Sequence, residues 1–217
     1  MNKDQLINTA AHKIGAKSYL EIGHEFGNNF KKINIGFKES MDPANDGRGS
    51  PTYNISSNEF FEKHVGDKKY DIVFVDGLHV KEQVIKDVEN ALKHLTPNGI
   101  VFMHDCLPLN EAQQDVVDFD PSDFNLRPNG PTKKLFGDNQ AFWTGNAWSA
   151  FAHFRRTRSD LLMYTVDTDW GVGVILPNRS QSLWQGGDDN YQYLDANRAA
   201  LMNVISVNQY VEIINSL

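Results

Sequence analysis

The chain twice runs an apolar stretch straight into an aspartate and a histidine. "YDIVFVDGLHV" (70–80) delivers Asp76 and His79, and "GIVFMHDC" (99–106) delivers His104 and Asp105. Imidazoles titrate near neutral pH, so His79 and His104 are candidate general bases. Carboxylates beside an imidazole also suit Mg2+, Mn2+ or a transition metal, and Asp76, His104 and Asp105 are the candidate ligands. Each residue singly has a plainer reading. Asp76-Gly77 suits a turn or a helix cap, His79 a backbone-bonded position at a helix start, and His104-Asp105 a pair that satisfies itself at a strand end.

The quartet works as a unit only if the two stretches end side by side. Continuous apolar runs such as 71–75 and 100–103 fit strands buried on both faces, as in parallel sheets. Around them the spacing predicts a helix over 4–14, a strand over 18–23, a short helix over 28–33 and a weak strand over 38–43 ended by Asp42-Pro43. A loop over 46–51 and a short strand over 52–56 follow. Ser56 to Glu59 reads S-x-x-E ahead of Phe60 and Phe61, a helix start that runs to about Val65. A helix over 80–95 separates the two buried runs. Residues 107–140 read as a lid or substrate loop, 147–158 as a helix, and 161–167 with 170–176 as a hairpin turning at Thr168-Asp169. Closing helices fill 191–217. The alternation indicates an α/β protein in one domain over 1–217. Its expected architecture is a Rossmann-like, doubly wound, mostly parallel sheet with a C-terminal antiparallel hairpin.

Ligands of open α/β sheets bind outside the carboxyl ends of the strands. There the chain places "EIGHEFG" (21–27) with Gly23 and Gly27, then Asp42, then Ser56, Ser57 and Asn58, and then the two Asp/His pairs. Five strand ends with polar groups would converge on one edge. The glycines allow close backbone approach to a ligand. Asp42 stands about 20 residues past the loop, where an acid binds ribose hydroxyls. The loop is not G-x-G-x-x-G, and Glu25 would oppose a pyrophosphate. A nucleoside with a positive centre and no phosphates fits better.

Composition sets outer bounds. The net charge of −7 argues against a nucleic-acid partner. The lone Cys106 fits a reducing compartment, and neither a signal peptide nor a membrane-length apolar run is visible, so a cytoplasmic protein is expected. Trp143 and Trp148 read as packing or as a stacking wall for a sugar or aromatic acceptor. "FRRTR" (154–158) reads as a solvated helix face, and His12, His64, His94 and His153 as lying outside the site. Trp184, Tyr191 and Tyr193 hint at a homodimer surface.

These residues resemble the class I S-adenosylmethionine-dependent methyltransferases, nearest to a small bacterial branch called methyltransferase domain family 24. The resemblance is carried by Y-L-E-I-G-x-x-x-G (19–27), K-x-x-M-D-P (38–43), S-S-N-E-F-F (56–61), the 70–79 strand and its Asp-Gly-x-His, the 87–99 helix and turn, H-D-C-x-P (104–108), "WTGNAW" (143–148) and "DTDWGVGVI" (167–175). Ser40 stands where the family commonly has glycine, and Asn58 where it has aspartate. The resemblance implies S-adenosylmethionine as cofactor. Glu21, Gly23 and Gly27 would line its methionine part, Asp42 its ribose, and Ser57 and Asn58 its adenine, with Asp76 beside the sulfonium. It implies O-methylation of a small-molecule or glycan-linked hydroxyl, with His79 or His104 as base or a divalent metal on Asp76, His104 and Asp105. A silent binding protein of the same fold and a metal-dependent hydrolase are the alternative readings.

Overall fold

A computed structural model describes residues 1–43, 49–114 and 143–217. The expected lid (107–140) lies outside the described residues from 115 onward, as do residues 46–48 of the expected 46–51 loop.

All described strands join one sheet in the order β2-β1-β3-β4-β6-β5-β7. β1 (Ser18–Ile22), β2 (Phe37–Met41), β3 (Tyr70–Val75) and β4 (Leu95–Met103) are parallel. β6 (Val172–Pro177) pairs antiparallel with both β4 and β5 (Leu161–Val166), and the two-residue β7 (Val204–Ile205) closes the far edge parallel to β5. The expected antiparallel hairpin is thus present, with only the two-residue β7 beyond it.

The apolar runs alternate between two cores. Val73 and Val75 face one side with Leu20, Val101, Met103 and Ile175. Ile72 and Phe74 face the other with Tyr19, Ile100, Phe102 and Val174. The first side is covered by α2 (Ser57–Lys63), α3 (Lys81–Lys93), α5 (Ala147–Thr157) and α6 (Tyr191–Leu201), through Phe60, Val84, Val88, Trp148, Phe151 and Leu194. The second is covered by α1 (Lys3–Ile14) and α7 (Val207–Asn215), through Leu6, Ile7, Tyr210 and Ile214. A strand stretch covered on both faces is apolar at successive positions, which is why 72–75 and 100–103 show no alternation.

Four sequence expectations change. Residues 52–56 form no strand; Tyr53 makes a single bridge to Met41. The side chains beside it take over the ladder positions, with Thr52 Oγ1 accepting from Ser40 N and Asn54 Nδ2 donating to Asp42 O. Four parallel strand ends, not five, therefore face the ligand edge. β4 begins at Leu95 and not at Ile100, and its register shifts so that Tyr70 pairs Leu95 but Ile72 pairs Ile100. Pro97 sits in that irregular stretch, since proline cannot donate to a ladder. Finally, residues 28–33 give only a short 3-10 turn, Phe30–Lys32, and a four-residue helix, α4 (Glu111–Gln114), stands in the expected loop.

The "FRRTR" cluster is also less solvated than expected. Arg155 donates to Leu201 O and Gln181 Oε1, and Arg156 pairs with Asp189 at 2.7 Å, which straps residues 181–189 onto α5. Trp184, Tyr191 and Tyr193 pack against the core, and Trp184 Nε1 donates to the Tyr193 hydroxyl. No helix of the described residues is long and apolar enough to cross a membrane.

Candidate active site

β1 has β2 on one side and β3 on the other, so the switch point of the sheet, where ligands of such folds bind, lies between β1 and β3. Gly23 follows β1 at a left-handed φ of 91°. A Cβ on it would lie 2.0 Å from the Asp76 carbonyl oxygen. Only glycine lets the β1 loop close on the β3 loop in this way.

The rest of the loop is pinned from two sides. Glu25 N donates to Asp42 Oδ2 at 2.8 Å, so the acid after β2 is tied to the glycine loop. The His24 ring, buried and edge-on to Phe30, fills the space against Gly27. Glu21 lies at the end of β1, only 1 % exposed. Tyr19 Oη and Asn29 Nδ2 donate to its carboxylate. Those bonds favour the charged form, but burial outweighs them and raises its pKa to about 7. Ser57 and Asn58 stand at the start of α2, where Ser56 caps the helix by accepting from Glu59 N. Both are held by Gln83 of α3 and not by the Asp/His cluster.

Asp76, His79, His104 and Asp105 do come together. β3 and β4 are neighbours with Val75 opposite Met103, so both pairs leave the same edge. Asp76 Oδ1 faces His79 Nε2 at 3.2 Å and His104 Nδ1 at 3.1 Å. Asp105, at a strained φ of 57°, turns back to face His79 Nδ1 at 3.0 Å and His104 Nδ1 at 3.3 Å. His79 Nδ1 is close to that carboxylate yet off the line of a hydrogen bond. Ligand atoms of Asp76, His79 and Asp105 lie within 4.8 Å of one another. The converging donor set therefore contains His79 where His104 was expected. The Asp76 side chain does not cap α3; Lys81 N donates instead to Asn146 Oδ1 at 2.6 Å.

Charges in the cluster hold each other. Burial works against ionised Asp76, but His104, Lys3 and the imidazole hydrogen bonds keep its pKa well below the ordinary carboxylate value. Asp105 is lowered in the same way by His104 and His79. Burial opposes charge on His79, and Asp105 and Asp76 overcome it, raising the imidazole to about 9. His104 is raised well above the ordinary value by Asp105 and Asp76 against the same opposition.

Lys3 and Asp169 were not among the expected site residues. Lys3 Nζ donates to Asp76 Oδ2 at 3.1 Å. Asp169, expected only as a turn residue, faces His104 Nε2 at 3.7 Å because the β5–β6 turn folds over the end of β4. Gly145, at φ 57°, leaves no room for a Cβ, which would meet His79 O at 2.0 Å. Beside it, Trp143 stacks on the His79 ring at 5.7 Å and 24°. Trp148 is fully buried and belongs to the core.

Comparison with known proteins places the fold. Residues 18–106 match the family described as Methyltransferase domain. No curated protein matches the sequence. Solved structures match it in fold at low identity. A candidate caffeoyl-CoA O-methyltransferase from Staphylococcus aureus is 15% identical with a TM-score of 0.56, over 80% of this chain and 82% of that one. The O-methyltransferase TomG from Streptomyces achromogenes, in complex with S-adenosylmethionine, is 16% identical with a TM-score of 0.52, over 81% and 79%. A methyltransferase from Podospora anserina bound to S-adenosylhomocysteine is 15% identical with a TM-score of 0.51, over 83% and 78%. Over most of its length the chain thus has the class I methyltransferase fold, and its residues 18–106 match the methyltransferase-domain family.

Proposed function

We propose that this protein transfers the methyl group of S-adenosylmethionine to a hydroxyl oxygen of a small-molecule or glycan-linked acceptor. The observation that carries the reading is the contact between Gly23 and Asp76. It sets a glycine loop, with Asp42 tied behind it, edge to edge with a cluster of carboxylates and imidazoles at the sheet's switch point. Fold relatives bound to S-adenosylmethionine or S-adenosylhomocysteine support the choice of cofactor. In this reading Glu21, Gly23 and Gly27 line the methionine part, Asp42 takes the ribose hydroxyls, Ser57 and Asn58 lie toward the adenine, and Asp76 flanks the sulfonium.

Transfer is an in-line displacement. The acceptor oxygen forms a bond to the methyl carbon as the sulfur–carbon bond breaks, and that electron pair returns to sulfur. The hydroxyl proton must leave. His104 is the less accessible of the two imidazoles, with its side chain 7% exposed and a third carboxylate, Asp169, facing its Nε2. His79 is more open, at 19%, and carries Trp143 as a flat wall against which an acceptor ring can lie. His79 is the proposed proton acceptor.

The same residues fit a divalent cation. Asp76, His79 and Asp105 offer two oxygens and a nitrogen, a set suited to Mg2+ or Mn2+. A cation there would lower the pKa of an acceptor hydroxyl. Both roles require neutral His79, oriented between Asp76 and Asp105; with its imidazole raised to about 9, His79 must first lose its proton, so transfer should rise with pH toward 9.

The test is transfer of labelled methyl groups from S-adenosylmethionine to a panel of hydroxylated sugars and phenols, with and without Mg2+ or Mn2+. Label on an acceptor oxygen supports the reading. Cofactor binding with no transfer to any acceptor favours the silent binding protein. Metal-dependent ester or phosphoester cleavage without S-adenosylmethionine favours the hydrolase.

A further inference from the structure

Lys3 belongs to α1, which docks through Leu6, Ile7, Ala10 and Ala11 on the sheet face opposite α3. None of those contacts needs a lysine. Yet Lys3 crosses the sheet edge and places its ammonium among the site's acids, with its side chain 24% exposed. It closes a ring of four residues. Lys3 Nζ donates to Asp76 Oδ2 at 3.1 Å; Asp76 Oδ1 faces His104 Nδ1 at 3.1 Å; His104 Nε2 faces Asp169 Oδ1 at 3.7 Å; and Asp169 Oδ2 accepts from Lys3 N at 2.9 Å. Thr168 Oγ1 donates to Met1 O beside it, fixing the start of α1 on the β5–β6 turn. Lys3 and Asp169 both lie outside the residues matched by the methyltransferase-domain family.

The two oxygens of Asp76 have different partners. Oδ1 faces two imidazoles, and Oδ2 accepts from Lys3. A divalent cation on Asp76, His79 and Asp105 would meet a fixed positive charge on one of its own ligands. Like charges a few ångströms apart in a half-buried site repel strongly.

We propose that Lys3 is the site's permanent cation, beside two imidazoles that can lose their charge: it faces Asp76 when no metal is bound and must withdraw from Oδ2 when a divalent cation enters. The inference rests on the reading of Asp76, His79 and Asp105 as a cation-holding group. Lys3 thereby sets the threshold for metal entry and couples it to the start of α1 and the β5–β6 turn, since the same residue's amide is held by Asp169.

Direct titration of full-length protein with Mn2+, followed by electron paramagnetic resonance of free Mn2+, tests this without any turnover. Lys3→Met keeps the apolar stem and removes the charge, and should bind Mn2+ about tenfold or more tighter than wild type. Lys3→Arg keeps a cation at Asp76 and should stay near the wild-type affinity. Melting curves show whether each variant is folded, and Lys3→Gln stands in if Lys3→Met is not. Equal or weaker Mn2+ affinity in the neutral variants, or no binding by any form, overturns the proposal. The methyl-transfer reading is judged separately, by S-adenosylmethionine binding measured without metal.

Discussion

At the scale of single residues, Asp76 is the hub. It touches Lys3, His79 and His104 and sits against the glycine loop through its own carbonyl. Asp76→Asn keeps the shape and removes the charge that orients both imidazoles. Methyl transfer should fall by about a hundredfold or more, in line with the loss of a positioned acid–base system, and the melting temperature should fall as well, because Lys3 and His104 lose the charge that faces them. A variant with unimpaired transfer would remove Asp76 from the mechanism. Glu21 makes a different prediction. Its pKa is raised by burial from 4.5 to about 7, so between those values the folded state holds a proton that the unfolded state has lost. Stability should therefore fall as pH rises from about 4.5 to 7 and level off above, by no more than about 3 kcal/mol from this group. Glu21→Gln should flatten that slope in denaturant titrations across the pH range; an unchanged slope would assign the raised pKa elsewhere. The Asp/His quartet was legible from sequence because each pair directly follows a run too apolar to be anything but a buried strand. Lys3 and Asp169 were not, because nothing local marks a helix-start lysine or a turn aspartate that reaches the site through tertiary folding.

At the scale of elements, two glycines carry the geometry. Gly23→Ala would force a Cβ into the Asp76 carbonyl at a left-handed φ. We expect a loss of at least ~2 kcal/mol of stability and cofactor binding reduced in proportion. Gly145→Ala pushes on His79 O in the same way, but from the acceptor side. It should impair transfer and leave S-adenosylhomocysteine affinity near wild type, and equal damage to both would place the 143–146 turn on the cofactor side. Gly23 was visible in the sequence as part of a glycine-bearing loop after a strand. Gly145 was visible only as part of the family-like "WTGNAW", since its reason for being glycine is a backbone 66 positions earlier in the chain. The misread short strand at 52–56 has a comparable cause. Its composition suits a strand, but Thr52 and Asn54 bond the β2 backbone through their side chains and stop the ladder after one bridge.

At the scale of the whole molecule, the α/β alternation fixed which strands would be parallel, while the placement of the hairpin needed the structure. β6 runs antiparallel beside β4, so the β5–β6 turn falls on the ligand edge and brings Asp169 and Lys3 to the site. The two cores on either side of the sheet make the strand ends rigid, and the polar groups needed for chemistry are left at the one edge where strands terminate. The central claim is that this edge holds S-adenosylmethionine between the glycine loop and Asp76. Isothermal titration of the folded protein with S-adenosylmethionine and S-adenosylhomocysteine tests it most directly. The account predicts one site per chain for both ligands, weakened by Gly23→Ala; folded wild-type protein that binds neither would contradict it.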